Sequence, residues 1–496
     1  MFQDITHQML RKCFESSTLH LCFGMAVTDI DNDGQLELIV VRFHGSNLVL
    51  KYNKLENQLE NLAVDDPLCP YYALRDVMGN AIDVCVCDVD GDGREEIYIV
   101  NTNENYNDKL FKFRNGRYED IFSDEVNQDI ARQLTGLAVT CIDRNGTGKY
   151  AIYLANYVRE KMGVRALIEM DESCSDVANG VVVMRNVAQE AGLAKLTSGR
   201  GVTVGPILSK DGRSDIFCKN KHGPNFLFKN NGNGTFTDVA AESGISDAFE
   251  DGDWGVMLAD FNGDGKLDIV YSNWNGSHRI FLQTTDDESN PRFRNIATDE
   301  FAEPSPLRMV VAADFNNDGN IKVFMSNFAH RGPAPNRLFQ VKHGVNGQDP
   351  TIKEMRIGEA LEPDGEGGGC AVIDLNGDGI LELILSYGNT PGHPLSIFTL
   401  LPDEITERRW LRVQVLTYQG APARGAKVTL YTHKGRQTQV IGTDAGYLCH
   451  MEPVAHFGLN HDIPVKLEVL WPDTKFRVLN LEASSVNLEM TVSHPG

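Results

Sequence analysis

Seven short acidic segments recur along the first four fifths of this chain, and nothing else in the sequence restricts its fold as much. They begin DIDNDGQLE at Asp29, DVDGDGREE at Asp88, DRNGTGKYA at Asp143, ILSKDGRSD at Ile207, DFNGDGKLD at Asp260, DFNNDGNIK at Asp314 and DLNGDGILE at Asp374. Successive intervals are 59, 55, 64, 53, 54 and 60 residues. A period in that range with β character means one supersecondary unit of about four short strands repeated around a shared core. An open solenoid would need shorter and more uniform periods.

Before each segment lies a small apolar run (GMAVT, VCVC, LAVT, VTVG, VMLA, VVAA, CAVI), and after it a β-rich one (LELIVV, EIYIV, AIYLA, DIFCK, DIVYS, KVFMS, LELILS). Each pair predicts a hairpin. Third strands follow Gly or Asn turns in NLVLKY, KLFKF, NFLFKN, RIFLQ and NRLFQV, and fourth strands read YEDIF at Tyr118, MRNVA at Met184, FTDVA at Phe236 and FRNIA at Phe293. The same outer-strand pattern opens the chain as FQDIT, Phe2 to Thr6, whereas the seventh unit ends in LSIFTLLPDE without a copy. The N-terminal strand is therefore expected to complete the last sheet and close a ring with no unpaired edge. Around Pro402 the repeat stops and a different alternating pattern begins. The expected fold is all-β: a seven-bladed β-propeller over residues 1–402 and a small C-terminal β domain over 403–496.

The acidic segments have the chemistry of calcium loops. Calcium takes six to eight hard oxygens, and a DxDxDG run supplies them from alternate side chains while its Gly permits the sharp turn. Four loops are complete: Asp29, Asp31, Asp33 and Glu37; Asp88, Asp90, Asp92 and Glu96; Asp260, Asn262, Asp264 and Asp268; Asp374, Asn376, Asp378 and Glu382. The main-chain carbonyls of Gln35, Arg94, Lys266 and Ile380 should add one oxygen each. An EF-hand would need a bidentate Glu at position twelve, between helices. Here position twelve is Val40, Ile99, Tyr271 or Leu385, inside a strand-like run, and the acid stands at position nine. Asp, Asn and Gly also make plain turns, but four copies in register favour the metal. The other loops depart from the pattern. Ala151 replaces the acid after Asp143, the Ile207 loop keeps only Ser209, Asp211 and Asp215, and Lys322 stands at position nine after Asp314, where its ammonium is expected to neutralise the loop. Extracellular modules bind calcium at about 10⁻⁴ to 10⁻³ M, so millimolar calcium would stabilise each site by roughly 0.5 to 1.5 kcal/mol. In a cytosol with sub-micromolar calcium the same carboxylates would repel one another.

These repeats resemble the FG-GAP propeller of integrin α chains, and the whole chain is similar to the cartilage acidic protein family. The stretches that carry the likeness are YYALRD from Tyr71, DVDGDGREEIYIVNTN from Asp88, DKLFKFRN from Asp108, GPNFLFKNNGNGTFTD from Gly223 and NWNGSHRIFLQ from Asn273. In the C-terminal part, ARGAKVTLYT, GYLCHMEPVAHFGL and LEVLWPD resemble the ASPIC/UnbV-type domain found in that family. The resemblance implies an acidic, secreted matrix or cell-surface-associated glycoprotein engaged in adhesion or receptor interactions, with Ca²⁺ in the four complete loops. Relatives begin with a signal peptide. The opening MFQDITHQML lacks the basic and apolar regions of one.

Composition excludes several alternatives. The net charge of −23 repels phosphate backbones and anionic headgroups, and no apolar run reaches 18 residues, so neither nucleic acid nor membrane insertion is expected. Cys85 and Cys87, two apart on a strand, share a face and cannot easily bridge each other, and His450 and His456 lack zinc-ligand spacing. Asp171, Ser173 and Ser175 spell an adhesion-site motif outside the α/β context it needs, and GEGGG from Gly365 to Gly369 reads as close backbone packing near the axis. Asn145, Asn233 and Asn275 begin glycosylation sequons. The functional expectation is a non-enzymatic adhesion scaffold whose propeller loops bind an extracellular matrix or cell-surface protein, or a glycan. The alternative is a calcium-stabilised propeller enzyme acting on glycans, against which stands the lack of SxDxGxTW, GxSxG and HExxH motifs.

Overall fold

The computed structural model describes the chain apart from residues 12–20, 44, 103–105, 135, 159–160, 248–253, 275, 286, 345–346, 389–394, 405–407 and 443–445. The Asn275 sequon thus lies outside the described residues, while Asn145 and Asn233 sit on exposed turns.

Each acidic segment joins the first and second strands of an antiparallel sheet. In the first sheet, Cys22–Thr28 pairs with Glu37–Arg42, then Leu48–Asn53, then Gln58–Asn61. Six further sheets repeat this order among the described residues, their innermost strands being Ala81–Cys87, Gly136–Ile142, Gly199–Gly205, Val256–Ala259, Leu307–Ala313 and Cys370–Ile373. Consecutive innermost strands touch, and Cys370–Ile373 touches Cys22–Thr28, so the series closes on itself. The first two strands of a sheet lie between neighbouring sheets and are buried on both faces, as in Glu37–Arg42 and Glu96–Asn101. This explains why they read as continuous apolar runs. Five innermost strands start with a register shift, for example between Cys22 and Met25 and between Ala81 and Asp83. Such bulges add local twist.

The N-terminal strand behaves as the repeat requires. Phe2–Asp4 pairs antiparallel with Leu395–Leu400, Phe2 opposite Leu400 and Asp4 opposite Phe398. Phe2 is fully buried, with its ring edge-on to Phe315.

The C-terminal residues form two further sheets, Val454–Asn460, Arg409–Val415, Leu488–Val492 and Arg436–Val440, Lys427–Thr432, Pro464–Leu470, Phe476–Asn480, around a core that includes Trp471. This domain lies on the acidic turns. Gln419 Nε2 donates to Thr147 O at 3.0 Å, Arg436 Nε to Gly263 O at 3.2 Å, Arg408 to Asn316 O at 2.8 Å and Asn460 N to Asn317 O at 2.8 Å. Arg412 Nε stands 3.5 Å from Asp374 Oδ2. A Cβ on Gly93 would meet Gln419 O at 2.5 Å, and one on Gly212 would meet Trp471 O at 2.4 Å.

One segment of this domain runs into the centre of the ring. Cys449–His450 pairs in parallel with Met25 and Ala26 of the first sheet, and Val202 N of the fourth sheet donates to Gly446 O at 2.6 Å. Tyr447 packs on Trp254 with centroids 4.8 Å apart, and Tyr447, Leu448, Cys449 and Met451 are buried among inner-strand residues. Gly369 shows why the GEGGG stretch is small, since a Cβ there would lie 2.5 Å from Leu448 O and 2.6 Å from Phe23 O. Arg424 fastens the segment: it donates to Met451 O and Val27 O and grips Glu95 at 2.5 and 3.1 Å. No helix among the described residues is long and apolar enough to cross a membrane.

Candidate metal centres

Two carboxylates build each acidic turn before any cation is considered. The first aspartate accepts two main-chain amides. Asp33 N and Gly34 N donate to Asp29 at 3.0 and 2.8 Å, Asp92 N and Gly93 N to Asp88 at 3.2 and 2.9 Å, Asp264 N and Gly265 N to Asp260 at 3.0 and 2.9 Å, and Asp378 N and Gly379 N to Asp374 at 3.1 and 2.9 Å. The sixth residue adopts positive φ, from 78° to 90° in these loops, which is why it is glycine. The ninth-position acid accepts the second residue's amide: Ile30 N to Glu37 at 2.8 Å, Val89 N to Glu96 at 2.9 Å, Phe261 N to Asp268 at 2.9 Å and Leu375 N to Glu382 at 3.0 Å. The incomplete loops do the same. Asp143 accepts Thr147 N and Gly148 N, and Asp215 accepts Leu208 N. Part of the motif therefore makes turns whether or not a metal binds.

The third and fifth positions carry the metal question. The carboxylate oxygens of Asp29, Asp31 and Asp33 converge within 4.8 Å of one another, as do those of Asp88, Asp90 and Glu96. Among the described residues nothing donates a hydrogen bond to the buried atoms Asp31 Oδ1 or Asp90 Oδ1. A buried carboxylate oxygen without a donor costs about 1–3 kcal/mol or more, and a cation would relieve that. Asn262 and Asn376 lie against the fifth-position acid, Nδ2 donating to Asp264 Oδ2 at 3.1 Å and to Asp378 Oδ2 at 2.9 Å. The amides of Gln35, Arg94, Lys266 and Ile380 donate to the fifth-position carboxylates at 2.8–2.9 Å.

The Asp314 loop shows where a cation sits in such a turn. Lys322 Nζ donates to Asp314 Oδ1 at 2.8 Å, Asp318 Oδ1 at 2.5 Å, Asn320 O at 2.8 Å and Asn316 Oδ1. These atoms come from positions one, three and five and the seventh-position carbonyl. Apart from the ninth-position acid, whose place Lys322 takes, they are the donor set that the calcium reading assigns to the complete loops. The complete loops therefore fit a hard, oxygen-bound dication, and the Lys322 loop is self-neutralised.

Sequence reading missed two lysines. In the third strands, Lys51 stands opposite Glu37, its Nζ 2.6, 2.7 and 3.0 Å from Asp31, Asp33 and Glu37, and Lys112 stands opposite Glu96, 2.8, 2.6 and 2.9 Å from Asp90, Asp92 and Glu96. Their contacts to Asp31 and Asp90 use Oδ2 and leave Oδ1 free of a donor. The same place holds Leu282 and Thr399 in the Asp260 and Asp374 hairpins. The lysine thus accompanies the loops with four acids, where it offsets one carboxylate, and is missing from those with three. The visible signal was the shared LK and FK of NLVLKY and KLFKF.

Burial makes the charged form of these carboxylates costly. Burial, with like charges beside it, pushes Asp88 up to about 7, and burial pushes Glu37 up to about 7 and Asp260 and Asp374 up to about 6. Burial also raises Glu96, Asp268 and Glu382 well above the usual range. Burial alone would depress Lys51 and Lys112, but their carboxylate partners outweigh it and hold both ammoniums charged. The Asp171 motif is an exposed turn, Ser173 Oγ donating to Asp171 at 2.6 Å.

Comparison with known proteins places this architecture. Residues 417–495 match the ASPIC and UnbV family, and residues 208–271 and 260–325 match the FG-GAP-like repeat. Among solved structures, a lectin from Burkholderia pseudomallei superposes with TM-score 0.42 at 10% identity over 67% of this chain and 84% of that one. A fungal alcohol oxidase in complex with copper gives TM-score 0.46 at 12% identity, over 94% and 98%. Likeness at that level says nothing of function. Cartilage acidic protein 1 of Xenopus tropicalis and of Mus musculus are each 51% identical over 100% of this chain and 77% of their own length. The protein of that name from Homo sapiens is 50% identical over 100% of this chain and 75% of its own. With repeats, C-terminal domain and full-length identity all agreeing, the chain belongs to the cartilage acidic protein family.

Proposed function

We propose that this protein is a calcium-braced extracellular scaffold that binds a matrix or cell-surface partner, protein or glycan, and catalyses no reaction. The observation that carries the reading is the Asp314 turn, where Lys322 gathers the oxygens that a calcium ion would take in its four sister loops. Asp29, Asp31, Asp33 and Glu37 would hold one ion, Asp88, Asp90, Asp92 and Glu96 a second, and the sets beginning at Asp260 and Asp374 a third and fourth. Calcium there would stiffen the platform on which the C-terminal domain rests, because that domain touches the turns after Asp88, Asp260 and Asp374. The partner is then met by the connecting loops on the opposite face. The extracellular placement rests on family membership and on loops of a kind that millimolar calcium would fill. Calorimetric titration of the chelator-stripped full chain should find about four calcium ions, with melting raised on their addition. A chain that takes up no calcium and melts identically in EDTA would overturn the proposal.

A further inference from the structure

A second kind of ligand set meets between the second and third sheets, away from the acidic turns. Cys85 Sγ, Cys141 Sγ and a ring nitrogen of His450 all lie within 4.8 Å of one another, and all three side chains are buried. Strand parity brings the thiols together. Cys85 and Cys87 project from one face of Ala81–Cys87, while Cys141, one step out of phase on Gly136–Ile142, projects back towards them into the same cluster. Cys87 lies in the same buried cluster as both other thiols. His450 arrives from the other domain, its main chain paired with Ala26 of the first sheet.

We propose that Cys85, Cys141 and His450, with Cys87 as fourth ligand, form a buried Zn²⁺ site that pins the axial segment of the C-terminal domain to two propeller sheets. Three thiolates and one imidazole are a structural zinc set, closed to solvent and tetrahedral. The oxygen-seeking ions suited to the acidic turns would not compete for sulfur. Atoms at the corners of a 4.8 Å triangle lie about 2.8 Å from its centre, and zinc bonds sulfur at about 2.3 Å and nitrogen at about 2.0 Å, so Cys85, Cys141 and His450 each move inward by less than about 1 Å, with Cys87 closing the fourth corner. Binding releases the thiol protons to solvent. Sequence spacing could not reveal the set, because its members stand at 85, 87, 141 and 450 and no CxxC or HxxxH pair marks them.

The test uses the full chain, purified under reducing conditions without a metal-binding tag. Elemental analysis after exposure to zinc should find one zinc per chain, at least tenfold less in Cys141→Ser, and no change in Cys370→Ser, a buried thiol of the seventh sheet. Should Cys141→Ser fail to fold, the wild-type chain loaded with Co²⁺ decides, because thiolate ligation gives a near-ultraviolet sulfur-to-cobalt charge-transfer band and intense tetrahedral ligand-field bands. Reduced wild type that binds neither ion, a folded Cys141→Ser chain that keeps its zinc, or a Cys85–Cys141 disulfide found by peptide mass in the unreduced protein would each overturn the site.

Discussion

Replacing Lys322 by glutamate should turn the self-neutralised turn into a calcium site beside the four proposed. The Lys322 side chain is fully buried, and its ammonium serves two carboxylates, an amide oxygen and a main-chain carbonyl. Without metal, Lys322→Glu removes that ammonium and adds a third carboxylate, and breaking a buried pair costs about 3–5 kcal/mol. For a cooperative unit of roughly 400 residues, unfolding entropy of about 2.1 cal/mol/K per residue converts this to a melting-temperature drop of about 4–6 °C in EDTA. Calcium at a hundredfold excess over Kd restores about 2.7 kcal/mol, or about 3 °C. Lys322→Met separates the two effects, since it loses the ammonium but supplies no ninth-position oxygen. Its melting should fall in EDTA without additional rescue by calcium. The assays are scanning calorimetry in both buffers and a calcium titration that counts sites. A glutamate variant with unaltered melting in EDTA, or with no more calcium rescue than the methionine variant, would refute the reasoning.

Two further outcomes follow from the same geometry. In EDTA, the raised carboxyls of Glu37, Asp88, Asp260 and Asp374 keep protons that the unfolded chain has released, so metal-free stability should fall as pH rises from about 4 to 7, and saturating calcium should abolish that fall; melting at pH 5 and 7.5 reads the sign, and an increase in EDTA would contradict it. Arg424→Met leaves Glu95 buried opposite no cation where the two domains meet, which should cost about 3–5 kcal/mol in chemical denaturation, with a good part recovered in Arg424→Met/Glu95→Gln; equal losses in the single and double variants would show that the pair is not coupled.

How much of this was legible from residues alone varies with how local the cause is. The closing strand Phe2–Asp4 was readable because FQDIT copies the outer strands of other units and the seventh unit lacked one. The turns were readable because carboxylate, glycine and spacing act within nine residues. Lys51 and Lys112 were in view but unassigned, since their role depends on the register that sets Glu37 opposite Lys51 and Glu96 opposite Lys112. Glu95 looked like a redundant neighbour of Glu96, yet it turns to the other side and meets Arg424, Thr28 donating to it at 2.7 Å. The axial course of residues 446–451 had no signal at all. Its partners are spread over most of the ring's sheets, and an apolar Tyr-Leu-Cys stretch looks the same on a hairpin as in a bore.

The pairing of Ala26 with His450 has a consequence for biosynthesis. During translation every propeller sheet leaves the ribosome before the residues that fill its hub, so a nascent ring must wait with Met25, Val202 and Cys370 lining an empty channel. Contacts this remote in sequence form late and leave apolar surface open to aggregation in the meantime. Truncation that removes residues 446–451 would therefore harm the propeller itself, and folding helpers should be needed until synthesis is finished.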